Sequence, residues 1–328
     1  MRIALTYDLR SDYVAMGWSP LDAAEFDSER TIEAIEAALR ELGHEVVRVG
    51  RCQELARRLV AAERWDLVFN FCEGVRGRGR EAQVPALLEC YDIPYTFCDP
   101  LTACLTLDKA MAKRVVRDAG LSTPDFLVVE ALEELSQLSI PFPLFAKPVA
   151  EGTGKGVDSS SIVRDRAALE AVCRRLLERF RQPVLIEEYL PGREVTVGVV
   201  GTGREARVLG VLEVLLLKPA EPEVYSYENK EKCEDRVELR LLAPGPFYSE
   251  AARLALACYR VLGCRDAGRL DLRADNKGQL HFIEANPLAG MNPGHSDLPI
   301  LNSLVGRSYC DLVADIVNSA MKRAGKVS

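Results

Sequence analysis

Hydrophobic positions along the chain come in short runs separated by stretches of helical period. Ile3-Ala4-Leu5 opens the chain as a strand ending near Asp8, and Ile32, Ile35, Leu39 and Leu42 recur as one helix face with Gly43 at the stop position. Residues 45–49 read as a strand, 53–63 as a helix, and 67–71 as a strongly apolar strand followed by a helix through Leu88. This succession predicts a βαβ series with a parallel sheet. Residues 9–28 hold no period; Gly17, Pro20 and the scattered Tyr13, Trp18 and Phe26 predict a long loop, functional or disordered. Beyond Tyr91-Asp92-Ile93-Pro94, the first domain closes near residue 100.

The second part of the chain begins with a helix opened by Leu107-Asp108-Lys109 and stopped by Gly120. Strands are expected at 126–129, 144–147 and 160–163, a helix at 167–180, and an apolar strand from 184 to 190. Pro191-Gly192 turns into a strand at 194–200, and helices at 249–262 and 309–323 complete the chain. The pattern divides the chain into units 1–100, 101–191 and 192–328. From Arg269 to Arg273 charged and apolar side chains alternate, Asp275-Asn276-Lys277-Gly278 is a turn, and 279–286 is the returning strand. A period of two puts Leu280, Phe282, Glu284 and Asn286 on one face. With an even loop, Asp271 lies directly across from Glu284.

Composition narrows the class. Of 328 residues, 48% are apolar and 28% charged, as in an ordinary soluble globular protein. A net charge of −7 argues against nucleic acid as a main partner. No apolar run approaches the roughly 20 residues that cross a bilayer, and the N-terminus has no signal-peptide architecture, so a cytoplasmic protein is expected. Ten scattered cysteines with no Cys-x-x-Cys pair, and only three histidines, make zinc a poor fit and reduced core-filling thiols such as Cys173 and Cys258 the simplest account.

Several stretches carry candidate chemistry. Asp271, Glu284 and Asn286 make a hard-oxygen set suited to Mg²⁺, or else the charged outer face of a hairpin. Gly152, Gly154 and Gly156 form a loop whose amides could approach phosphates, or an ordinary flexible turn. Lys147 ends a buried strand, where an ammonium needs an anionic partner. Glu187 and Glu194 bracket an interdomain slot or are solvated strand ends. The run from Val75 to Arg80, rich in arginine and glycine, is an anion-binding loop or a solvated one, with RNA binding a third option. Residues 218–236, dense in charge, are a lid or a disordered surface loop.

Taken together and in this order, Asp108-Lys109, Lys147 before the glycine-rich loop, Glu187 through Leu190, Arg269-x-Asp271, Glu284-x-Asn286 and Gly290-Met291 resemble the ATP-grasp superfamily, and within it the D-alanine–D-alanine ligases, over nearly the whole chain. The resemblance implies an α/β protein, α+β in its nucleotide-binding part: a three-domain ATP-grasp fold with an N-terminal open parallel sheet and ATP between two smaller sheets. It implies that Lys109, Lys147, Glu151, Gly152, Thr153, Gly154, Gly156 and Lys230 meet ATP phosphates. Glu187, Glu188, Tyr189 or Leu190 would meet the adenine, mostly through backbone groups, and Glu194 the ribose. Asp271, Glu284 and Asn286 would hold two Mg²⁺ ions, with Mn²⁺ as an alternative. Arg269 and the backbone at Gly290 would stabilise an oxyanion, Ser296 would touch the carboxylate of the second substrate, and Glu25 would bind the amine of the first.

The chemistry implied is ligation of small amino or carboxylic acids: a carboxylate is phosphorylated to an acyl phosphate, which an amine then attacks. Three functions remain: a D-alanyl or similar dipeptide ligase, an ATP-grasp ligase for other acids, and a nucleotide-binding protein without catalysis. The metal set and the lysines argue against the last. Four departures bear on substrate choice. Residues 9–23 replace a short Gly-Gly-x-Ser type loop, Glu73-Gly74 replaces His-Gly, Thr153 a serine, and Glu231 a tyrosine. With Glu231 a carboxylate near Glu25, a donor carrying an extra positive charge is expected, unless an arginine from Arg76, Arg78 or Arg80 neutralises it. The two substrates are not named by the sequence, and a homodimer is left open.

Overall fold

The computed structural model describes residues 1–217 and 236–326. Lys230, Glu231 and the lid stretch, apart from Arg236, lie outside the described residues.

Three strands, β1 (Arg2–Tyr7), β2 (Glu45–Gly50) and β3 (Leu67–Phe71), form a parallel sheet in the order β2-β1-β3. All five residues of β3 are buried, as a strand covered on both faces requires. Helix α2 (Glu29–Glu41) starts at Ser28, whose side chain accepts from the Thr31 amide, and lays Ile32, Ile35 and Leu39 against Ile3, Leu5 and Phe69. Burying each such side chain contributes about 1.5–3 kcal/mol. Helices α3 (Cys52–Val60) and α4 (Gln83–Cys90) cover the other face through Leu55, Leu59, Val84 and Leu88. Residues 9–28 are not a plain loop. They contain helix α1 (Arg10–Ala15), and Tyr13 stacks on Phe26 with Trp18 edge-on, a small core the scattered aromatics did not announce.

Helices α5 (Pro100–Leu107), absent from the pattern reading, and α6 (Lys109–Asp118) join this unit to a four-stranded antiparallel sheet. It comprises β4 (Phe126–Val129), β5 (Leu144–Pro148), β6 (Ile162–Val163) and β7 (Val184–Glu188), in the order β4-β7-β5-β6, with α7 (Arg166–Phe180) packed on one face. The strand expected at 160–163 is shortened to two residues by a preceding 3-10 turn.

The third sheet is antiparallel, ordered β10-β9-β8-β11-β12, from β8 (Glu194–Val200), β9 (Arg207–Leu216), β10 (Val237–Leu241), β11 (Ala267–Ala274) and β12 (Leu280–Asn286). Helix α8 (Pro246–Val261) covers one face with Ala251, Leu254, Cys258 and Tyr259. The last helices, α9 (Asp297–Leu304) and α10 (Tyr309–Arg323), fold back on the N-terminal sheet, so Leu298, Leu301, Leu312 and Ile316 share one core with Ile3 and Phe69. Fully buried Asp266 ties the two units: it pairs with Arg323 at 2.7 Å and accepts from the Phe97 amide at 2.8 Å. Cys173 and Cys258 are buried free thiols in helical cores, and no described helix is long and apolar enough to cross a membrane.

Candidate active site

The hairpin of β11 and β12 reaches the expected pairing by an unexpected route. Its loop spans residues 275–279, an odd number, closed by Ala274 opposite Leu280. Arg273 faces His281 and Leu272 faces Phe282, but Asp271 faces Glu284, so Ile283 is an extra residue. The bulge flips the strand. Leu280 and Phe282 enter the core beside Leu270 and Leu272, whereas Glu284 and Asn286 stand on the opposite face with Asp271 and Arg269. The single face expected for Leu280, Phe282, Glu284 and Asn286 is thereby corrected. An unbulged strand would have faced Glu284 the same way as Phe282.

Around Asp271 the carboxylate is closely held. Oδ1 accepts from the Thr196 hydroxyl and pairs with Arg269 Nε at 3.2 Å, and Asn286 Nδ2 donates to Oδ2 at 3.3 Å. Arg269 also pairs with Asp297 in the first turn of α9. Glu284 lies 3.4 Å from Lys109 Nζ, which also donates to the Glu151 carbonyl at 2.6 Å. Lys109 starts α6 after the N-cap Asp108, which accepts from the Met111 amide.

Two cavities adjoin there. One of about 540 Å³ is bounded by Glu25, Glu73, Glu81, Arg269, Gly290 and Ser296, and a smaller one of about 100 Å³ by Lys147, Lys155, residues 187–190, Glu194 and Asp271. Lys109, Glu151 and Glu284 line both. In the smaller cavity Lys147 finds the anion its burial demanded: Glu187 lies 2.7 Å away. Burial works against the Lys147 ammonium, but Glu187 outweighs it and holds its pKa above the ordinary value. Glu187 has a second partner, Lys113, at 2.8 Å. Its carboxylate is committed to lysines. Glu194 pairs with Arg273 at 3.1 Å, and Arg273 donates to the Tyr189 hydroxyl at 3.4 Å. The amides of Glu188 and Tyr189 donate to the carbonyls of Asp125 and Pro143 at 2.9 and 3.2 Å, so both are already satisfied. Glu188 is exposed, and Leu190 is buried against the slot.

The glycine-rich loop folds as two successive turns, Lys155 N to Gly152 O and Val157 N to Gly154 O, with Thr153, Gly154 and Gly156 all left-handed. A Cβ on Gly156 would meet Pro148 at 2.7 Å and Phe180 at 2.8 Å, so the glycine is required twice over. The loop reaches the N-terminal unit. Gly152 N donates to Glu25 Oε1 at 2.6 Å, Lys155 Nζ lies 3.2 Å from Glu25 and 2.5 Å from Glu151, and Arg80 lies 3.1 Å from Glu25. Burial would raise the Glu25 pKa, but Arg80 and Lys155 pull it below the usual carboxylate range. Of the loop arginines, Arg80 thus turns inward, and Arg78 pairs with Asp108. Across the larger cavity, a Cβ on Gly290 would sit 2.6 Å from Ser296 Oγ, and that oxygen accepts from the Asn292 amide at 3.1 Å.

Glu73 and Glu81 stand in the same cavity. Burial pushes Glu81 up to about 7 against the pull of Arg80, and burial together with Glu81, Glu25 and Asp27 pushes Glu73 well above the carboxylate range. A raised carboxylate pKa means the folded state keeps a proton the unfolded chain has lost, so stability falls as pH rises from about 4.3 to about 7. Glu81→Gln is therefore expected to melt higher than wild type at pH 8, with the gap closing at pH 5. Parallel melting-temperature curves across that range would discard the assignment.

Pattern reading missed Lys113, Arg273, Thr196 and Asp297. Lys113 had a signal: it shares a buried stripe of α6 with Ala110, Ala112 and Val116. Thr196 and Asp297 had none, since their roles exist only across strands or at a helix start.

Residues 115–318 match the family described as D-ala D-ala ligase C-terminus. The chain is 35% identical over 266 residues to the D-alanine–D-alanine ligase of Bordetella petrii, covering 80% of this chain and 78% of that one. It is 32% identical over 308 residues to the uncharacterized protein y4sG of Sinorhizobium fredii, covering 90% and 88%. The crystal structure of D-alanine–D-alanine ligase from Bacillus anthracis complexed with ATP shares the fold, with a TM-score of 0.75 over 99% of both chains at 22% identity. With residues 115–318 matching that family and 35% identity to one of its ligases over 80% of the chain, the chain belongs to the D-alanine–D-alanine ligase family of ATP-dependent ligases.

Proposed function

We propose that the chain joins two amino acids through an amide bond, with a D-alanine-like acid as the first substrate, activated as an acyl phosphate. One observation carries this reading: Lys109 and Glu284, 3.4 Å apart, stand in the wall shared by the two cavities. A nucleotide in the smaller cavity then has its terminal phosphate at the mouth of the larger one. Lys147 and Lys109 neutralise phosphate charge, the amides of Thr153, Gly154 and Gly156 approach it, and Glu194 meets the ribose. Asp271, Glu284 and Asn286 fit a divalent ion: two carboxylates and an amide whose nitrogen already donates to Asp271, leaving its oxygen as the donor. Mg²⁺ held there supplies charge neutralisation of the phosphates.

Arg269 and the Gly290 amide flank the position of the tetrahedral oxyanion formed when the second amine attacks. Ser296 and the N-terminal end of α9 suit the second substrate's carboxylate, since unpaired amides and the helix dipole favour an anion there. Glu25 suits an ammonium, which must displace Lys155 from it.

A second reading of the substrates has its own observation. Glu73 stands where ligases of this family carry histidine, and with Glu81 it gives the larger cavity two carboxylates beside Arg80, which also serves Glu25, and Lys109, which also serves Glu284. A substrate with a second amino group would supply the missing charge. ADP release measured with pairs of D-alanine, and with D-alanine paired to D-amino acids bearing a side-chain amine, decides both points. Release that requires two amino acids supports ligation, and faster release with the diamino acid supports the cationic substrate. ADP release independent of any amino acid would overturn the ligase reading. Preference for D-alanine at both positions would overturn the second.

A further inference from the structure

We propose that Lys113 is a positioning residue that frees Lys147 for the nucleotide: by sharing Glu187 it leaves the buried trio with one net positive charge at the phosphate end of the smaller cavity. This rests on the nucleotide reading of that cavity. Lys113 is fully buried and does not line the cavity, whereas Lys147 does. Their ammonium groups hold Glu187 from two sides, at 2.8 and 2.7 Å. The Lys113 ammonium is ion-paired with Glu187 and donates to Thr123 Oγ1 at 3.2 Å and to the Phe282 carbonyl at 3.2 Å, all away from the cavity, so it does not reach a phosphate there.

Charge counting gives the consequence. Two lysines and one glutamate sum to +1. Without Lys113, Glu187 and Lys147 form a closed neutral pair in a low-dielectric setting, and an incoming phosphate must compete with Glu187 for the Lys147 ammonium. Lys113 also anchors this trio to β12 through the Phe282 carbonyl, next to the strand segment bearing Glu284. A purely structural role and a charge-balancing role therefore make opposite predictions for a double replacement. Lys113→Met with Glu187→Gln removes both contacts of the pair but restores the charge to +1.

The test is titration calorimetry of the full chain with the ATP analogue AMP-PNP plus Mg²⁺, with adenosine as a ligand lacking phosphate. Lys113→Met should weaken AMP-PNP binding at least about tenfold while adenosine binding holds. The double variant should return AMP-PNP affinity to within about threefold of wild type, and Glu187→Gln alone should bind it at least as tightly as wild type. If Lys113→Met fails to fold, the double variant and Glu187→Gln still decide. A double variant as weak as Lys113→Met, or equal loss of adenosine and AMP-PNP affinity, would overturn the proposal. Lys147→Met separates the two layers. If it binds AMP-PNP as wild type does, the nucleotide reading fails and takes the proposal with it; if it weakens while the double variant is not rescued, the proposal fails alone.

Discussion

Glu284→Gln is expected to lower the rate of ADP release by about a thousandfold or more while the protein stays folded. The side chain stands on the cavity face of β12, 18% exposed, and the core on the other face is carried by Leu280, Phe282 and Ala285, which the change leaves untouched. Replacing the carboxylate by an amide therefore leaves folding within about 1 kcal/mol of wild type. The loss falls on chemistry. One of the two carboxylates proposed to hold the ion disappears, and Lys109 loses a partner that orients it between the cavities. A thousandfold loss corresponds to about 4 kcal/mol of barrier. Circular dichroism and an ADP-release assay at saturating Mg²⁺ measure the two effects separately. Near-normal turnover in a folded variant would sink the metal assignment.

The second large effect is expected at Arg269. Its guanidinium is held between Asp271 and Asp297, on two different elements, with one edge toward the larger cavity. That bracing fixes the fork before any oxyanion forms, which is what makes such a donor effective. Arg269→Met should reduce kcat by about 10²–10³, roughly 3–4 kcal/mol, with the KM for ATP changed little. Arg269→Lys should recover little of it, because a single ammonium cannot bridge two carboxylates and present a planar fork as well. Stability is also expected to drop, since Asp297 is buried and loses its cation. A kcat within a few-fold of wild type, or a loss confined to the KM for ATP, would remove Arg269 from the oxyanion site.

Much of this protein was legible from local pattern. The buried face of α2, the extents of α7 and α10 and the run of β3 followed from apolar spacing, because burying one stripe or both faces leaves a repeating mark. The need of Lys147 for an anion also followed, since an unpaired buried ammonium is too costly to persist. The grouping of Asp271, Glu284 and Asn286 was found in the sequence, but on the assumption of an even loop and one shared face. The structure has an odd loop and a bulge at Ile283, and the two changes cancel.

What the sequence by itself determined, then, is most of the elements, though not α1, α5, β9, β10 or α9, together with the three-domain class and the identity of many of the charged groups that meet at the two cavities. Tertiary structure alone decided which charges pair. Lys113 and Lys147 lie on α6 and β5, yet both reach Glu187 on β7, and Glu25 near the N-terminus is claimed by Arg80 and by the loop at 152–155. Such pairings join segments far apart in the chain, where no spacing rule operates. Their partners are chosen by which buried charge would otherwise stand alone, and that is settled only when the sheets come together.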